Sequence, residues 1–462
     1  MESSLNKRYG LLTAISMVVG VVIGSGVFFK AEKVLTATGG SMSLGILAWF
    51  IGGIIMVVCA YTFSIMANRY SFVNGVVDYA EVSLGKSYGY YVGWFMATIY
   101  YPTLTAALAW LTARFTCKVL NFGETGPEAM AMTTFFLVAI YAVNALSPIL
   151  AGKLQVSATT IKLIPLVFMA IVGTIVGLAM PDHMLIHNFS TIVNKVNTGD
   201  ALLIAVVATA FAYDGWIMAT SINAELKDAK KNLPKALVVG TLIVITVYIF
   251  YYIGLSGAVS NAELMDSKAK GAKFAFETVF TKVGGTALFV FVIVSCLGTL
   301  NGLMLGCTRG IYSLSARNMG PKPEVFKQVD KATDMPTNSA ILGLLFSGIW
   351  LLYFYGASLT EKPWFGFFSF DATELPVVTT YASYIPIFLM LILKEKDLGI
   401  FKRFMAPLLA IAGCVFMVYA ACISHKMEVV AYLIIFAAIM GIGRLFNSQK
   451  ARSIRLKCQG QK

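Results

Sequence analysis

The chain is predicted to be an all-α, polytopic membrane protein that crosses the bilayer about twelve times. Of its 462 residues, 58% are hydrophobic and 13% charged, whereas soluble domains carry about 25% charge. Apolar runs of about 20 residues, long enough to cross a hydrocarbon core, recur from one end to the other. The connections between them are short and leave no room for a separate soluble domain.

The spans, numbered 1 to 12, are placed at 10–37, 43–67, 88–116, 129–150, 154–180, 201–223, 236–259, 286–314, 338–357, 372–393, 404–423 and 427–446. Residues 1–462 are thus read as one transmembrane unit. The segment Met1–Arg8 is polar and the first apolar run is too long for a cleavable signal, so that run stays as a span. Lys and Arg concentrate before span 1, in the even-numbered connections and in the tail, which marks those segments as cytoplasmic. Both termini are expected inside, in a plasma or bacterial inner membrane. The net charge of +13 points to lipid headgroups, beside Arg444 and, in the basic tail 447–462, Lys450, Arg452, Arg455 and Lys457. Nucleic acid is not expected, because the basic residues alternate with spans and form no single face.

Catalytic chemistry finds little support. The seven cysteines have no CxxC spacing and fall mostly within apolar runs, as small buried hydrophobes do. His183, His187 and His425 fall in expected outer connections, which supports neither a metal site nor a triad. No cofactor and no enzyme activity are expected, since no nucleophile–base pair or metal constellation occurs at membrane depth. Asn188-Phe-Ser190 matches a glycosylation sequon, a short pattern that often arises by accident. The outer stretch 261–282 leaves room for a short surface helix.

Two spans are interrupted. Span 1 reads GVVIGSGVFF, with Gly20, Gly24 and Gly26 at mid-membrane, and span 6 reads ATAFAYDGWIMATS around Asp214-Gly215. The interruptions recur at a five-span interval, so each opens a five-span half, 10–180 and 201–393, with spans 11 and 12 (404–446) outside. Matching interruptions in two halves point to an inverted-repeat transporter. Taken alone, the span 1 glycines would also suit close helix packing. A break in hydrocarbon exposes N–H and C=O groups that something must satisfy, and glycine accepts the irregular backbone. N–H groups at a half-helix start attract a carboxylate, and carbonyls at a half-helix end attract an ammonium. An α-amino acid carries both.

GVVIGSGVFF, AFAYDGW, the AELKDAKKNLPKAL that follows span 6, and SCLGTLNGLMLGCTRGIYSLSARNMGP in span 8 together resemble the amino acid–polyamine–organocation superfamily. The closest likeness is to the L-type amino acid transporters, including bacterial relatives of heteromeric transporter light chains, and it covers roughly Tyr9 to Gly443. The resemblance implies the LeuT-type 5+5 inverted-repeat fold with broken helices 1 and 6 and a central site flanked by spans 3, 8 and 10. It implies that amides around Ile23, Gly24, Ser25, Gly26 and Val27 hold the substrate carboxylate. Carbonyls of Phe211, Ala212 and Asp214, beside Gly215, would hold the α-amino group, while Tyr213 and Trp216 shape or gate the pocket. Light chains commonly carry two Glu residues after span 6, where Ala224 here replaces one and Glu225 remains. The surroundings of Cys117 do not match the tethering cysteine of light chains, so a heavy-chain glycoprotein subunit is not expected.

Two ionisable residues lie at membrane depth. Lys162 sits about 13 Å into span 5 at 1.5 Å per residue, a poor depth for snorkelling. In sodium-coupled members of the fold an ion bridges unwound span 1 to span 8, and Lys162, in TTIKLIPL, resembles the L-type lysine at that place. Its ammonium would replace the ion, against carbonyls of Val19 and Gly20 and hydroxyls of Ser295 and Thr299. A lysine facing a watery vestibule, or one that releases its proton during the cycle, are the other readings. Asp214 either meets a cationic group of the substrate or caps the N–H groups of the second half of span 6. Tyr100, Tyr101, Tyr248, Tyr251 and Tyr252 are candidates for the pathway or for packing. Asn301 is a candidate for helix bonding or substrate contact.

The functional expectation is a sodium-independent L-amino acid transporter, an exchanger working by alternating access. The rivals are a proton-coupled amino acid or polyamine symporter on the same scaffold and, in another class, a ligand-gated channel or membrane sensor.

Overall fold

A computed structural model describes residues 7, 9–24, 26–70, 75–179, 183–266 and 271–459, with the backbone alone at 29, 148, 221, 224, 225 and 448–459. Each apolar run folds as a helix, because only local i to i−4 bonding satisfies every main-chain group without water. Ten helices among the described residues are long and apolar enough to cross a membrane, and they fall on spans 2 and 4 to 12. Span 1 is two helices, Leu11–Val22 and Gly26–Ala37. Span 3 runs through Lys86–Phe95, a π-helical turn at Met96–Tyr100, and Tyr101–Val119 without interruption. Among the described residues the only β-pairing is a bridge between Tyr9 and Leu226.

The half-helices of spans 1 and 6 cross at the centre. Leu11–Val22 packs on the second half of span 6, and Gly26–Ala37 packs on its first half, Thr198–Ala212. Span 7 (Ala229–Ala258) lies against spans 1, 2 and 5, and span 8 (Gly271–Ala316) against spans 3, 5 and 9. Span 6 is the most buried of the apolar helices and span 12 (Met427–Asn447) the least.

Spans 5 and 7 meet backbone to backbone. A Cβ on Gly254 would lie 2.2 Å from the carbonyl oxygen of Met169, and one on Gly177 would lie 2.4 Å from the Cα of Gly257. Without a hydrophobic force between helices in lipid, such close small-residue contact gives the van der Waals attraction that holds them.

Several details differ from the sequence reading. The 261–282 stretch holds the helix Asn261–Asp266, and the helix starting at Gly271 merges into span 8 across a kink at Phe280 and Thr281 (φ 64°). Short helices Val76–Leu84, Met184–Ser190 and Pro323–Phe326 occupy connections. The last helix continues to Gln459, so the basic tail extends span 12. Asn188 is buried, and its amide donates to the carbonyls of Ser256 (2.6 Å) and Val259 (2.9 Å), so it braces span 7 and presents no glycan acceptor. His425 ends the span 11 helix and meets Glu374.

Gly254→Val should destabilise the detergent-solubilised protein by about 1–3 kcal/mol, the usual penalty of overpacking. Gly441→Ala, where a Cβ meets open space, should leave the melting temperature unchanged. Thermal unfolding followed by fluorescence compares the two, and equal melting would refute the backbone contact.

Candidate functional site

The first half of span 1 ends at Val22, where Ile23 N donates to Val19 O at 2.9 Å and Gly24 N to Val22 O at 2.8 Å. Ser25, expected in the site, lies outside the described residues. The helix resumes at Gly26, whose absent side chain lets the backbone touch span 6: a Cβ there would lie 2.9 Å from Ala212 Cα. Span 6 stops at Ala212. Gly215 then takes φ 100°, and Trp216–Glu225 continues as a 3₁₀-helix. A side chain at Gly215 would be strained by that φ and would also meet Val21 at 2.7 Å.

A helix end leaves carbonyls without intrahelical partners, and here a lysine supplies them. Lys162 is 0% exposed. Its Nζ donates to Gly20 O at 2.6 Å and Ile23 O at 2.5 Å on span 1. On span 8 it reaches Ser295 O at 3.1 Å and Thr299 Oγ1 at 3.3 Å. The Ser295 hydroxyl donates to Gly24 O at 3.1 Å and the Thr299 hydroxyl to Gly20 O at 3.2 Å, closing the same cluster. No carboxylate contacts this ammonium among the described residues, so its charge rests on the oxygens of a helix C-terminus, the favourable end for a cation. Two details depart from expectation. Val19 O is taken by the Ile23 N–H and Ile23 O takes its place beside Lys162. Ser295 offers its carbonyl, while its hydroxyl turns to span 1.

The two breaks are also joined by Tyr248 of span 7. Its buried hydroxyl lies 3.0 Å from both Val22 O and Ala212 O. One lone pair of the Ala212 carbonyl, expected to face an α-amino group, is thereby engaged. Tyr213 points away from the cleft: its hydroxyl donates to Trp49 O at 2.9 Å, and its ring packs on Trp49 and Tyr248.

Between the breaks is a cavity of about 30 Å³, lined by Val22, Gly24, Leu104, Phe211, Asp214 and Gly215 among others, room for about one water. Asp214 Oδ2 accepts from the Tyr100 hydroxyl at 2.6 Å. Ile23 and Val27, expected in the site, are buried and do not line this cavity. Gly26 and Phe211 line both this cavity and a vestibule of about 1170 Å³, which reaches the bundle end bearing Arg114, Glu124, Asp371, His425 and Glu428. Glu374 there gathers Lys30, Lys33 (3.3 Å) and His425 (3.0 Å).

The opposite end, near Tyr9, is closed. Trp216 packs on Phe63 and Tyr384, and Phe63 also packs on Tyr79 and Phe388. Beneath them Arg317 pairs with Asp78 and, at 2.9 Å, with Glu81, and Lys227 N donates to Tyr9 O at 2.8 Å. Tyr101 packs against Gly306 of span 8. Asn301 faces away from the cleft: its amide donates to Ala151 O (3.0 Å) and Gln155 Oε1 (3.1 Å), and its Oδ1 accepts from Asn144 (2.9 Å). It ties spans 4, 5 and 8 together and is not a cavity-lining residue.

A broken-helix core with this connectivity invites comparison with known proteins. The model of the family described as amino acid permease matches residues 9–444. The chain belongs to the amino acid permease family. It is a member of the amino acid–polyamine–organocation superfamily with L-type likeness, and it has that family's LeuT-type fold. The serine/threonine exchanger SteT of Bacillus subtilis is 27% identical over 98% of this chain and 99% of its own length. The mouse b(0,+)-type amino acid transporter 1 is 25% identical over 94% of this chain and 86% of its own. The human large neutral amino acids transporter small subunit 2 is 26% identical over 76% and 66%.

In this permease, sequence reasoning named Tyr248 only as one of several candidate tyrosines and Trp216 as a residue that shapes or gates the pocket, and missed Trp49, Glu374 and the Phe63 and Tyr384 rings packed on Trp216. Tyr248→Phe should lower stability by roughly 1–3 kcal/mol, the range for leaving buried acceptors short of a donor, and weaken substrate binding. Thermal unfolding with and without substrate reads both, and a variant matching wild type in each would remove the bridging role.

Proposed function

We propose that this permease is a sodium-independent exchanger of L-amino acids that works by alternating access in a cell membrane. The observation that carries the reading is the Lys162 ammonium lying among the carbonyls of Gly20, Ile23 and Ser295 and the hydroxyl of Thr299. A fixed charge there does the work of a bound cation, so no sodium need enter with the substrate. Relatives named as exchangers of serine and threonine, or as amino acid transporters, support the same class.

In this reading the substrate carboxylate meets the N–H groups that open the second half of span 1 at Gly26 and Val27. Its α-ammonium meets the carbonyl end of Thr198–Ala212 at Phe211, with Asp214 close by. Phe211 and Gly26, shared by cavity and vestibule, mark the passage that must widen. Val19, Tyr213 and Asn301 drop out of direct roles, and Trp216 serves in the stopper at the closed end. The halves 10–180 and 201–393 supply the two arms of the cycle. With both termini cytoplasmic, the vestibule faces outward. The buried position of Cys117 supports a transporter that needs no disulfide-tethered heavy chain.

The substrate stabilises an occluded state by joining both broken helices, and that state can reopen to either side. Exchange follows where the empty carrier returns slowly. The rival, proton-coupled symport of an amino acid or polyamine, would use the same two buried ionisable groups, Lys162 and Asp214.

Counterflow in proteoliposomes with a panel of unlabelled amino acids tests the class. Uptake should require amino acid inside and ignore replacement of sodium, whereas uptake driven by an imposed pH gradient into empty vesicles would establish the rival. Asp214→Ser should reduce arginine or lysine uptake about tenfold more than alanine uptake, the effect of roughly 1.4 kcal/mol. Equal losses would assign Asp214 to capping.

A further inference from the structure

Span 12 is held to the bundle at a few points. The Tyr90 hydroxyl donates to Gly443 O at 2.7 Å, and Trp94 Nε1–H to Ile439 O at 2.9 Å. The hydroxyls of Thr379 and Tyr432 meet at 2.7 Å. Between these points the helix stands off spans 3, 10 and 11 and leaves a cavity of about 400 Å³. Its walls include Val92, Phe95, Val378, Ala421, Leu433 and Phe436. Leu433 and Cys422 on its rim are exposed, so the cavity opens on the outer surface of the bundle.

The groove lies at hydrocarbon depth. From Val429 to Met440 it follows span 12 for roughly 16 Å at 1.5 Å per residue, about one leaflet of a roughly 30 Å core. Most of its hydroxyls are already bonded: Thr379 to Tyr432, Ser383 to Thr380 O at 2.7 Å and Tyr88 to Ser383 O at 2.7 Å. Water would find few partners along these mostly apolar walls, where a hydrocarbon chain fits.

Positive charge sits at the mouth beside Met440. Met440 lines the groove, and Arg444 follows one turn later on the same face. Arg444 is exposed and, among the described residues, forms no ion pair. Exposed Lys86 opens the helix that carries Tyr88 and Tyr91, at nearly the same level, since Tyr90 one turn on meets Gly443. The N-terminus of that helix adds its own positive end.

We propose that the groove binds one acyl chain of an anionic phospholipid, with the headgroup phosphate held between Arg444 and Lys86. The groove bears on transport through span 10 (Leu375–Lys394). Thr379 and Ser383 of that helix line the groove, while its buried Tyr384 packs on Phe63 and Trp216 in the stopper. A seated chain braces span 10 from behind. This site goes beyond the exchange reading, and lipid retention tests it whether the permease exchanges or symports.

The test uses the full chain with Cys458→Ser, so that a bimane dye reports from exposed Cys422. In vesicles, spin-labelled phosphatidylglycerol should quench the dye several-fold more than spin-labelled phosphatidylcholine at the same mole fraction. Arg444→Ala should cut that preference about fivefold, the factor for one basic residue at an anionic surface. Ala382→Trp, which fills the groove, should abolish it while amino acid binding persists. Equal quenching by both lipids in the parent protein would overturn the proposal. So would efficient disulfide cross-linking of two copies through Cys422, which would assign the groove to a second chain.

Discussion

A helix that stops inside hydrocarbon leaves main-chain groups that neither water nor the next turn can satisfy, and each one left bare costs several kcal/mol. The first half of span 1 ends in that predicament at Val22. Its carbonyls are satisfied from three directions: Lys162 on span 5, Ser295 and Thr299 on span 8, and Tyr248 on span 7. The break therefore ties span 1 to three other spans at once. Small residues around it follow from the same need. A Cβ at Gly298 would lie 3.2 Å from Lys162 Nζ, and one at Gly20 would lie 2.0 Å from Thr159 Oγ1.

The two sides of the site are consequently unequal. Carbonyls at the end of the first half-helix are consumed within the protein, whereas the N–H groups that start the second half at Gly26 are the natural place for an anion. Asp214 has no cation beside it among the described residues, and its carboxylate accepts the Tyr100 hydroxyl. The proposed binding mode follows from this asymmetry, with donors offered by span 1 and acceptors by span 6. Phe211 stands between vestibule and cavity, and the aromatic and ionic layers around Trp216 and Arg317 close the other end.

Much of this is legible in the sequence because hydrocarbon leaves few choices. Spans follow from apolar length, the breaks from glycines and an Asp-Gly placed at mid-span, and Lys162 from the rarity of a charge at that depth. Finer geometry is not legible. Which carbonyl faces Lys162 depends on where the turn gives out, so Ile23 stands where Val19 was expected. Tyr248 does not differ from Tyr251 or Tyr252 by pattern, yet it alone of the three bridges the breaks. Asn301 has the same composition signal whether it faces a ligand or three neighbouring helices. Glu374 reads only as an acid at the start of span 10 until folding sets Lys30, Lys33 and His425 around it.

The central claim is that a fixed ammonium stands where a mobile cation would otherwise join span 1 to span 8. Exchange by Lys162→Ala in sodium-free proteoliposomes tests it most directly, with folding verified by monodispersity and unfolding temperature. The account predicts that the folded variant loses nearly all exchange while still inserting normally. Undiminished turnover without sodium would contradict it, because the clamp would then be dispensable.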